Sequence, residues 1–284
     1  MLSKCLESLE KQTVKIKKVV VADNFSNDGI LSSFKENFSW VHWQEESING
    51  GFSYGCNVGG RLAETKWVLF LNPDTEIPET CFESLIPYCD ENSEYKLISI
   101  KQVNSDGKDC FPYGVFPNIF NLLGPLRSLE RNIIRSSQSK KVMGAALVGF
   151  PDWISGAFVL IRLEDYKKLG SWDEFFWMYY EDIDLCKRAA NLGMKRVLLN
   201  NWYCIHNHGG ASRKNIDTTI LTKSEVLISS HKYIKKHFAR IAKPVAHSLV
   251  FGSSFLELSI LSLFSKVKRG VFKKLLVYWF GAKA

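Results

Sequence analysis

One short stretch constrains the fold of this chain more than any other. Residues 67–76 read Trp-Val-Leu-Phe-Leu-Asn-Pro-Asp-Thr-Glu, so five consecutive apolar residues are followed within two positions by a proline. A continuous apolar run of this length predicts a β-strand that is buried on both faces. Because proline cannot donate to a sheet ladder, the strand must end near Asn72, which leaves Asp74 and Glu76 at its carboxyl end.

The carboxyl end of such a strand is a favourable place for a binding site. In open α/β sheets, ligands bind at the carboxyl ends of the strands. A carboxylate such as Asp74 at this edge suits a hard divalent cation, Mg²⁺ or Mn²⁺, that is shared with the phosphates of a substrate. Taken alone, the same residues also fit a solvated turn whose aspartate caps the following helix.

The segments around this strand alternate between helix and strand patterns. Helix patterns occupy 1–10, 30–37, 53–64 and 79–91, and strand patterns occupy 18–22, 40–44, 97–100 and 153–161. Two further strand patterns follow at 195–199 and 202–205. Strands that alternate with short helices predict an α/β fold with a layered, mostly parallel sheet.

The chain opens with a helix pattern, whereas a doubly wound sheet normally opens with a strand. The pattern of residues 1–13 is that of an amphipathic helix rather than a signal peptide. We therefore expect a strand, with the ligand-binding loop that follows it, to precede residue 1 in the full protein.

Cysteine usage and charge narrow the class of protein. The seven cysteines are scattered and form no Cys-x-x-Cys pair, which favours a reducing cytosol over a disulfide framework or a zinc site. The net charge of +8 fits an anionic partner. Nucleic acid is not the expected partner, because the basic residues concentrate in an insertion and in the tail without a recognisable nucleic-acid module.

A second acidic motif lies more than a hundred residues after the first. Glu181 and Asp182 begin a helix pattern that ends at Gly193. At a helix N-terminus the dipole favours the ionised form of a carboxylate, which is the form a general base needs. Asp184 and Arg188 have the spacing of a structural i,i+4 ion pair.

Two histidines follow the last strand pattern. His206 and His208 lie in a glycine-rich loop, where they could ligate a cation or contact a phosphate. The alternative is an exposed pair with neither role. The earlier insertion, 104–150, is basic and broken by prolines, which is typical of a lid or binding segment but also of a plain surface loop.

The tail has a different composition from the rest of the chain. Beyond Pro244 the runs 248–264 and 270–280 are apolar, with five basic residues between and within them. The first run contains Glu257 and falls short of the roughly 20 apolar residues of a membrane span. This pattern predicts helices that lie on an anionic membrane, or else helices that pack back on the preceding part of the chain.

Four blocks, taken in order, resemble the family 2 glycosyltransferases, and within them the rhamnosyltransferase-like enzymes of bacterial surface-polysaccharide assembly. The blocks are Val-Val-Ala-Asp-Asn-Phe-Ser-Asn-Asp-Gly at 20–29, Asn-Gly-Gly-Phe-Ser-Tyr-Gly-Cys-Asn-Val-Gly at 49–59, Leu-Asn-Pro-Asp at 71–74 and Phe-Phe-Trp-Met-Tyr-Tyr-Glu-Asp-Ile-Asp-Leu at 175–185. In the third block, asparagine stands where the family's Asp-x-Asp metal motif has its first acid.

The resemblance implies a fold, a domain division and a reaction. The fold would be the A-type glycosyltransferase fold, with a catalytic domain at 1–240 and a helical tail at 241–284. The nucleotide-binding half would be about 1–103 and the acceptor-binding half about 104–215. The reaction would be inverting transfer of a sugar, with rhamnose suggested, from a dTDP- or UDP-linked donor to a hydroxyl of a glycan or lipid-linked acceptor. The expected location is the cytoplasm, at the inner face of the plasma membrane.

The resemblance also implies roles for individual residues. Asp182, with Glu181, would supply the catalytic base, and Asp74 would hold the divalent cation together with His206 or His208. The residues implied in binding the nucleotide sugar, of which Asn49 and Asn57 more plausibly order their loop, are Asp23, Asn24, Asn49, Gly51, Phe52, Asn57 and Asn72.

One departure from the family pattern supports an alternative. Family members begin with an apolar strand that ends in a Thr-Tyr-Asn-like segment and forms one wall of the nucleoside pocket. In this sequence the corresponding helix starts four residues after Met1. The alternative function is therefore a catalytically inactive glycosyltransferase-like protein that acts as a binding or scaffold subunit.

Overall fold

The computed structural model describes residues 1–26, 29–122, 147–207 and 215–281. These residues form two compact units. The first holds the described residues of 1–116, 147–174 and 181–207, and the second holds those of 117–122, 175–180 and 215–281. The predicted functional division into 1–240 and 241–284 stays a prediction.

The predicted alternation of helices and strands is present in the first unit. Its helices are α1 (Leu2–Glu10), α2 (Leu31–Asn37), α3 (Phe52–Arg61), α4 (Cys81–Glu91), α5 (Leu163–Lys168) and α6 (Glu181–Asn191). Its strands are β1 (Val20–Asp23), β2 (His42–Glu45), β3 (Trp67–Leu71), β4 (Thr75–Glu76), β5 (Tyr95–Val103), β6 (Asp109–Cys110), β7 (Tyr113–Gly114), β8 (Val148–Gly149), β9 (Trp153–Ile154), β10 (Phe158–Arg162) and β11 (Lys195–His206).

The main sheet is mixed rather than mostly parallel. Its strand order is β3-β10-β5-β11-β4, with β6 beside β5 and β8 beside β11. Among the described strands of this sheet only the β5–β11 pair is parallel, and β1 and β2 form a separate parallel pair. The α/β class is correct, but β10 runs antiparallel to both β3 and β5, so it interrupts the parallel arrangement that simple alternation predicted.

Strand β3 has the predicted bounds and packs on both faces, but it is incompletely buried. Trp67, Leu69 and Leu71 pack against the core cluster beneath α4, and Val68 and Phe70 pack against the cluster beneath α5 and α6. Of the five residues only Phe70 is buried. In the described part of the chain β3 pairs with β10 alone, so it lies at an edge of the sheet.

Helices α1 and α3 connect the β1–β2 pair to the main sheet. Leu6 of α1 packs with Val19 and Val21, whereas Leu9 packs against the core of the main sheet. A Cβ on Gly59 of α3 would lie 4.0 Å from Val20, and Phe52 packs against the other core cluster of the main sheet. Within the described residues β1 and β3 belong to separate sheets, and the expected strand upstream of residue 1 stays a prediction.

Three local predictions need correction. The apolar run at 153–161 is broken into β9 and β10 around Gly156, and the patterns at 195–205 form one strand, β11, with an irregularity between Leu199 and Tyr203. Helix α3 begins at Phe52 with Gly51 as its N-cap, whereas the sequence pattern placed its start at residue 53. Gly51 has φ of +87°, a conformation that glycine adopts without steric cost, and this lets the helix begin earlier.

The second unit contains three helices, α7 (Ile216–His237), α8 (Ala242–Leu261) and α9 (Lys266–Phe280). Helix α8 begins six residues before the apolar run at 248–264. Its 20 residues therefore reach the length of a membrane span, which the apolar run alone does not. In the part of the chain that the structure describes, α8 is the one helix long and apolar enough to cross a membrane. All three helices pack on one another.

Two adjacent glycines of α3 give a test of this packing. A Cβ on Gly60 would lie 2.8 Å from the Tyr166 hydroxyl, whereas the nearest atom to a Cβ on Gly59 is 4.0 Å away. Because Tyr166 is buried, we expect Gly60→Ala to lower the free energy of unfolding by about 1–2 kcal/mol. We expect Gly59→Ala to raise it by about 0.5–1 kcal/mol. Urea unfolding measures both, and equal effects would contradict this packing of α3.

Candidate active site

The antiparallel pairing of β3 with β10 brings the two acidic motifs to one end of the sheet. Leu71 is paired with Phe158, and just beyond this pair the Asn72 N–H donates to the Ala157 carbonyl at 3.0 Å. The neighbouring Gly156 N–H donates to Asp182 Oδ2 at 3.2 Å. The segment after β3 and the start of α6 are therefore joined through residues 156 and 157.

The residues that follow β3 cross the carboxyl ends of other strands. Strands β3 and β4 lie at opposite edges of the sheet order, and only residues 72–74 connect them. Because β5 and β11 run parallel to each other and β5 runs antiparallel to β10, their carboxyl ends lie at the same sheet edge as that of β3. This is the edge where the sequence predicted a ligand site.

Asp74 and His206 meet at that edge. His206 Nε2 lies 3.2 Å from Asp74 Oδ1, and His206 Nδ1 lies 2.9 Å from Gln102 Oε1. Both Asp74 and His206 are buried. The Asn207 N–H donates to the Asp74 carbonyl at 3.2 Å, so backbone contacts hold the turn in place. The structure thus brings together the carboxylate and one of the two histidines that the sequence proposed.

The pair fits a small divalent cation only as part of a larger ligand set. A carboxylate oxygen and an imidazole nitrogen are suitable donors, and Mg²⁺ or Mn²⁺ commonly takes its remaining ligands from water and substrate phosphates. No cluster of three or more His, Cys, Asp or Glu side chains suited to a metal occurs among the described residues. The other predicted ligand, His208, lies outside those residues.

Burial perturbs both carboxyls at the start of α6. Burial, reinforced by the charge of Asp182, raises the pKa of Glu181 well above its usual range. Burial also raises the pKa of Asp182 to about 6, although the N–H groups of Gly156 and Ile183 oppose the shift by donating to its carboxylate. At neutral pH Asp182 is therefore mostly ionised. At Glu181, burial opposes the ionised form that the helix dipole favours.

The backbone before α6 is held in an uncommon conformation. Tyr179 and Tyr180 have φ of +65° and +67°, and this left-handed region is unfavourable for side chains other than glycine. Residues in such strained conformations persist only where surrounding contacts hold them in place, and they are found mainly at functional sites. Further along the helix, Asp184 and Arg188 form the predicted ion pair at 2.8 Å.

Several of the predicted nucleotide-binding residues build a loop at the end of β1. Asn24 donates to the Gly51 carbonyl at 2.8 Å and accepts from the Gly50 N–H at 3.0 Å. Asn49 accepts from the Gly51 N–H at 3.1 Å. Asp23, the last residue of β1, accepts from a backbone N–H within the same turn. The structure brings these residues together, and their contact with a nucleotide stays a prediction.

Two other predicted binding residues belong to the protein core. The Asn57 side chain donates to the Trp172 carbonyl and to Glu174, and it accepts from the Tyr166 hydroxyl and from the Trp172 N–H, at 2.8–3.0 Å. Phe52 packs edge-on against Trp172, with ring centroids 5.4 Å apart. Asn57 therefore links α3 to the segment around Trp172, and these contacts are not within its own loop. Asn72 lies half-buried at the end of β3.

Sequence reasoning missed three contributors to the site. The Gly156 N–H positions Asp182, Gln102 contacts His206, and the Tyr54 hydroxyl donates to Glu46 just after β2. The glycine at 156 did indicate a close approach, and a Cβ there would lie 3.1 Å from the Phe52 ring. The sequence around Gln102 and Glu46 did not indicate their roles, because each side chain contacts a residue that is brought close only by folding.

Comparison with known proteins identifies the family that this sequence resembles. Residues 1–140 match the family model described as Glycosyl transferase family 2. The chain is 25% identical over 198 residues to the rhamnosyltransferase WbbL of Escherichia coli (strain K12), an alignment that covers 66% of this chain and 72% of that protein. It is 23% identical over 222 residues to an N-acetylglucosaminyl-diphospho-decaprenol L-rhamnosyltransferase of Mycobacterium tuberculosis (strain ATCC 25618 / H37Rv), covering 72% and 71%.

A solved structure shows a similar fold. The crystal structure of GalNAc-T7 with UDP, GalNAc and Mn²⁺ superposes with a TM-score of 0.55 at 14% sequence identity. The alignment covers 92% of this chain but only 55% of that one. At this level of identity the likeness concerns the fold alone.

The role of Asn57 can be tested by its removal. Because Asn57→Ala leaves several buried polar groups without partners, we expect it to lower the free energy of unfolding by about 2–4 kcal/mol. Asn37→Ala, at an exposed position in α2, should change it by less than about 0.5 kcal/mol. Chemical denaturation measures both, and an unfolding midpoint unchanged in Asn57→Ala would contradict a core role.

Proposed function

This chain has the A-type glycosyltransferase fold and its residues 1–140 belong to glycosyl transferase family 2, and from this premise we propose that it catalyses inverting transfer of a sugar. The donor is a nucleoside-diphosphate sugar and the acceptor is a hydroxyl of a glycan or lipid-linked molecule. The observation that carries the proposal is the hydrogen bond from Gly156 to Asp182, because it holds an ionisable carboxylate at the sheet edge where Asp74 also lies.

Asp182 acts as the general base in this proposal. It is ionised at neutral pH and half-buried, and its carboxylate is fixed by two backbone N–H groups. As the acceptor oxygen attacks the anomeric carbon, Asp182 takes the proton of that hydroxyl. The bond from the anomeric carbon to the diphosphate oxygen breaks on the opposite face, so the configuration inverts and the nucleoside diphosphate leaves with the bonding electrons.

Glu181 has a different role from its neighbour. It is buried and its pKa lies well above the usual range, so its surroundings favour the neutral form. A second ionised carboxylate beside Asp182 would raise the pKa of the base further. In this proposal a neutral Glu181 lets Asp182 act as the base.

Asp74 and His206 are the residues that would hold a divalent cation. When bound, the cation would offset the negative charge that develops on the leaving diphosphate. The proposal is supported by the 3.2 Å approach of the two side chains at the carboxyl ends of the strands.

The choice of donor and acceptor rests on similarity to the relatives. We take rhamnose, linked to dTDP or UDP, as the first donor to test, because both relatives described above bear the name rhamnosyltransferase. The name of the mycobacterial relative includes a lipid-linked diphosphate, and this supports a lipid-linked acceptor. We place the enzyme in the cytoplasm, peripherally on the inner face of the plasma membrane, and the exposed apolar side chains at the end of α8 support contact with a membrane.

The acidic pair gives a matched test of the mechanism. We expect Asp182→Asn to lower kcat by about 10²–10⁴-fold while nucleotide affinity is kept, because the variant loses the base and not the donor site. Glu181→Gln should keep most of the activity, because glutamine resembles the neutral form that the buried position favours. For the unchanged enzyme, kcat/KM should fall as the pH drops through about 6, where Asp182 becomes protonated.

The measurement is transfer, or slow hydrolysis of the donor, across a panel of nucleotide sugars, with calorimetry for nucleotide binding. If Asp182→Asn lost nucleotide binding together with turnover, its assignment as the base would be wrong. If the unchanged protein bound a nucleotide but turned over no donor, the scaffold alternative would be favoured.

The proposed metal site predicts a metal-dependent affinity. We expect Mn²⁺ to strengthen the binding of UDP or dTDP to the unchanged protein, and Asp74→Asn to remove most of that gain because the cation loses its carboxylate ligand. Glu76→Gln, two residues away, should preserve it. Calorimetric titration with and without Mn²⁺ measures the gain. A folded Asp74→Asn protein that kept the full Mn²⁺ effect would contradict this site.

A further inference from the structure

The outer face of α8 and the turn after it carry exposed apolar side chains. Leu256, Ile260, Leu263 and Phe264, which we call the apolar ridge, are 65%, 54%, 70% and 82% exposed. Three of the four recur at a spacing of three to four residues, so they lie on one side of the helix and its extension. Large apolar side chains that are exposed together mark a surface that binds something apolar.

The ridge is not required to hold the second unit together. The opposite face of α8 buries Ala246, Val250, Ser254 and Leu258, again at a spacing of four residues. Leu258 packs with Val271 of α9 and with partly buried residues of α7. Since this inner face provides the contacts with α7 and α9, the ridge remains available to another partner.

Basic side chains adjoin the ridge. Arg269 donates to the carbonyls of Ser262 and Leu263, at 3.0 and 3.2 Å, so its guanidinium is fixed at the end of the ridge. Lys266 and Lys273, also exposed, share one side of α9 with Arg269. The acidic residue within this part of α8, Glu257, is paired with Lys268 at 2.6 Å. The surface therefore combines apolar and positively charged groups.

We propose that the apolar ridge inserts into the interfacial layer of an anionic membrane, while Lys266, Arg269 and Lys273 contact the lipid headgroups. An apolar face that is flanked by basic residues has the chemistry of helices that lie in the plane of such a membrane. Each basic residue near an anionic surface adds to the attraction, and the apolar side chains add burial. This inference deepens the proposed peripheral location, but its test does not depend on transfer activity.

The contacts of α8 favour an in-plane position over a transmembrane one. A span would carry His247 and Glu257 into the membrane, which is costly. It would also break the contact between His247 Nδ1 and His231 Nδ1 of α7, which lie 2.8 Å apart, and the ion pair of Glu257 with Lys268. An in-plane helix keeps these contacts and exposes the ridge to lipid.

Vesicle binding by the full chain tests the ridge. We expect binding to vesicles that contain phosphatidylglycerol, and little binding to phosphatidylcholine alone. Leu263→Ser/Phe264→Ser should weaken binding by at least about tenfold, because two apolar side chains no longer enter the interface. The matched control, Val14→Ser/Leu192→Ser, removes two exposed apolar side chains from the first unit and should bind as the unchanged protein does.

Charge reversal tests the basic residues. Lys266→Glu/Lys273→Glu should weaken binding to the anionic vesicles by more than roughly tenfold at low salt, with a smaller effect at high salt. Lys15→Glu/Lys17→Glu makes the same change in net charge at exposed positions after α1 and should have a much smaller effect. Circular dichroism and thermal unfolding confirm that each variant is folded.

Three results would overturn the inference. The first is a ridge variant that is folded and binds vesicles like the unchanged protein. The second is equal loss of binding in the matched controls. The third is retention of the unchanged protein in native membranes after alkaline carbonate extraction, which releases peripheral proteins and would indicate a transmembrane α8. If transfer activity were absent but the variants bound vesicles in the expected order, the inferred membrane-binding surface would be supported and the proposed transferase function would be wrong.

Discussion

The arrangement of the candidate active site depends on one antiparallel pairing, that of β3 with β10. It places the residues after Leu71 beside Ala157, and so brings the segment containing Asp74 to the segment that positions Asp182. The same pairing makes the sheet mixed, since β10 runs against both of its neighbours. The antiparallel direction of β10 therefore has two effects. It makes the sheet mixed, and it joins two acidic motifs that lie more than a hundred residues apart in the sequence.

The acidic pair shows how environment separates two chemically similar side chains. Both carboxyls are desolvated, but Asp182 has two backbone N–H donors, whereas Glu181 Oε2 has no hydrogen-bond partner in the described structure. Hydrogen bonds stabilise the ionised form of Asp182, and burial beside that charge favours the neutral form of Glu181. The left-handed backbone at Tyr179 and Tyr180 adds a local cost just before the pair, and this is common where geometry serves function.

The residues of the sequence motifs have two kinds of role: some shape a loop of the site and others support the core. The sequence does not show which residue has which role. Asn24 and Asn49 shape the loop at the end of β1, and Asn57 uses its side chain on core groups around Trp172. A motif can thus identify the region of a site while some of its members act only as structural support. The distinction needs the positions of the residues that Asn57 contacts, and these lie more than a hundred positions further along the chain.

The sequence by itself determined the helices, most strands and the strand end at Asn72, because hydrophobic periodicity and proline act locally. It also identified the blocks that contain Asp74 and Asp182, and the loop that contains His206. Only the tertiary structure decided that β10 lies between β3 and β5, that His206 meets Asp74 and Gln102, and that Glu181 is buried beside Asp182. The physical reason is that strand order, burial and pKa depend on contacts between residues distant in sequence, whereas propensity and periodicity report only on near neighbours.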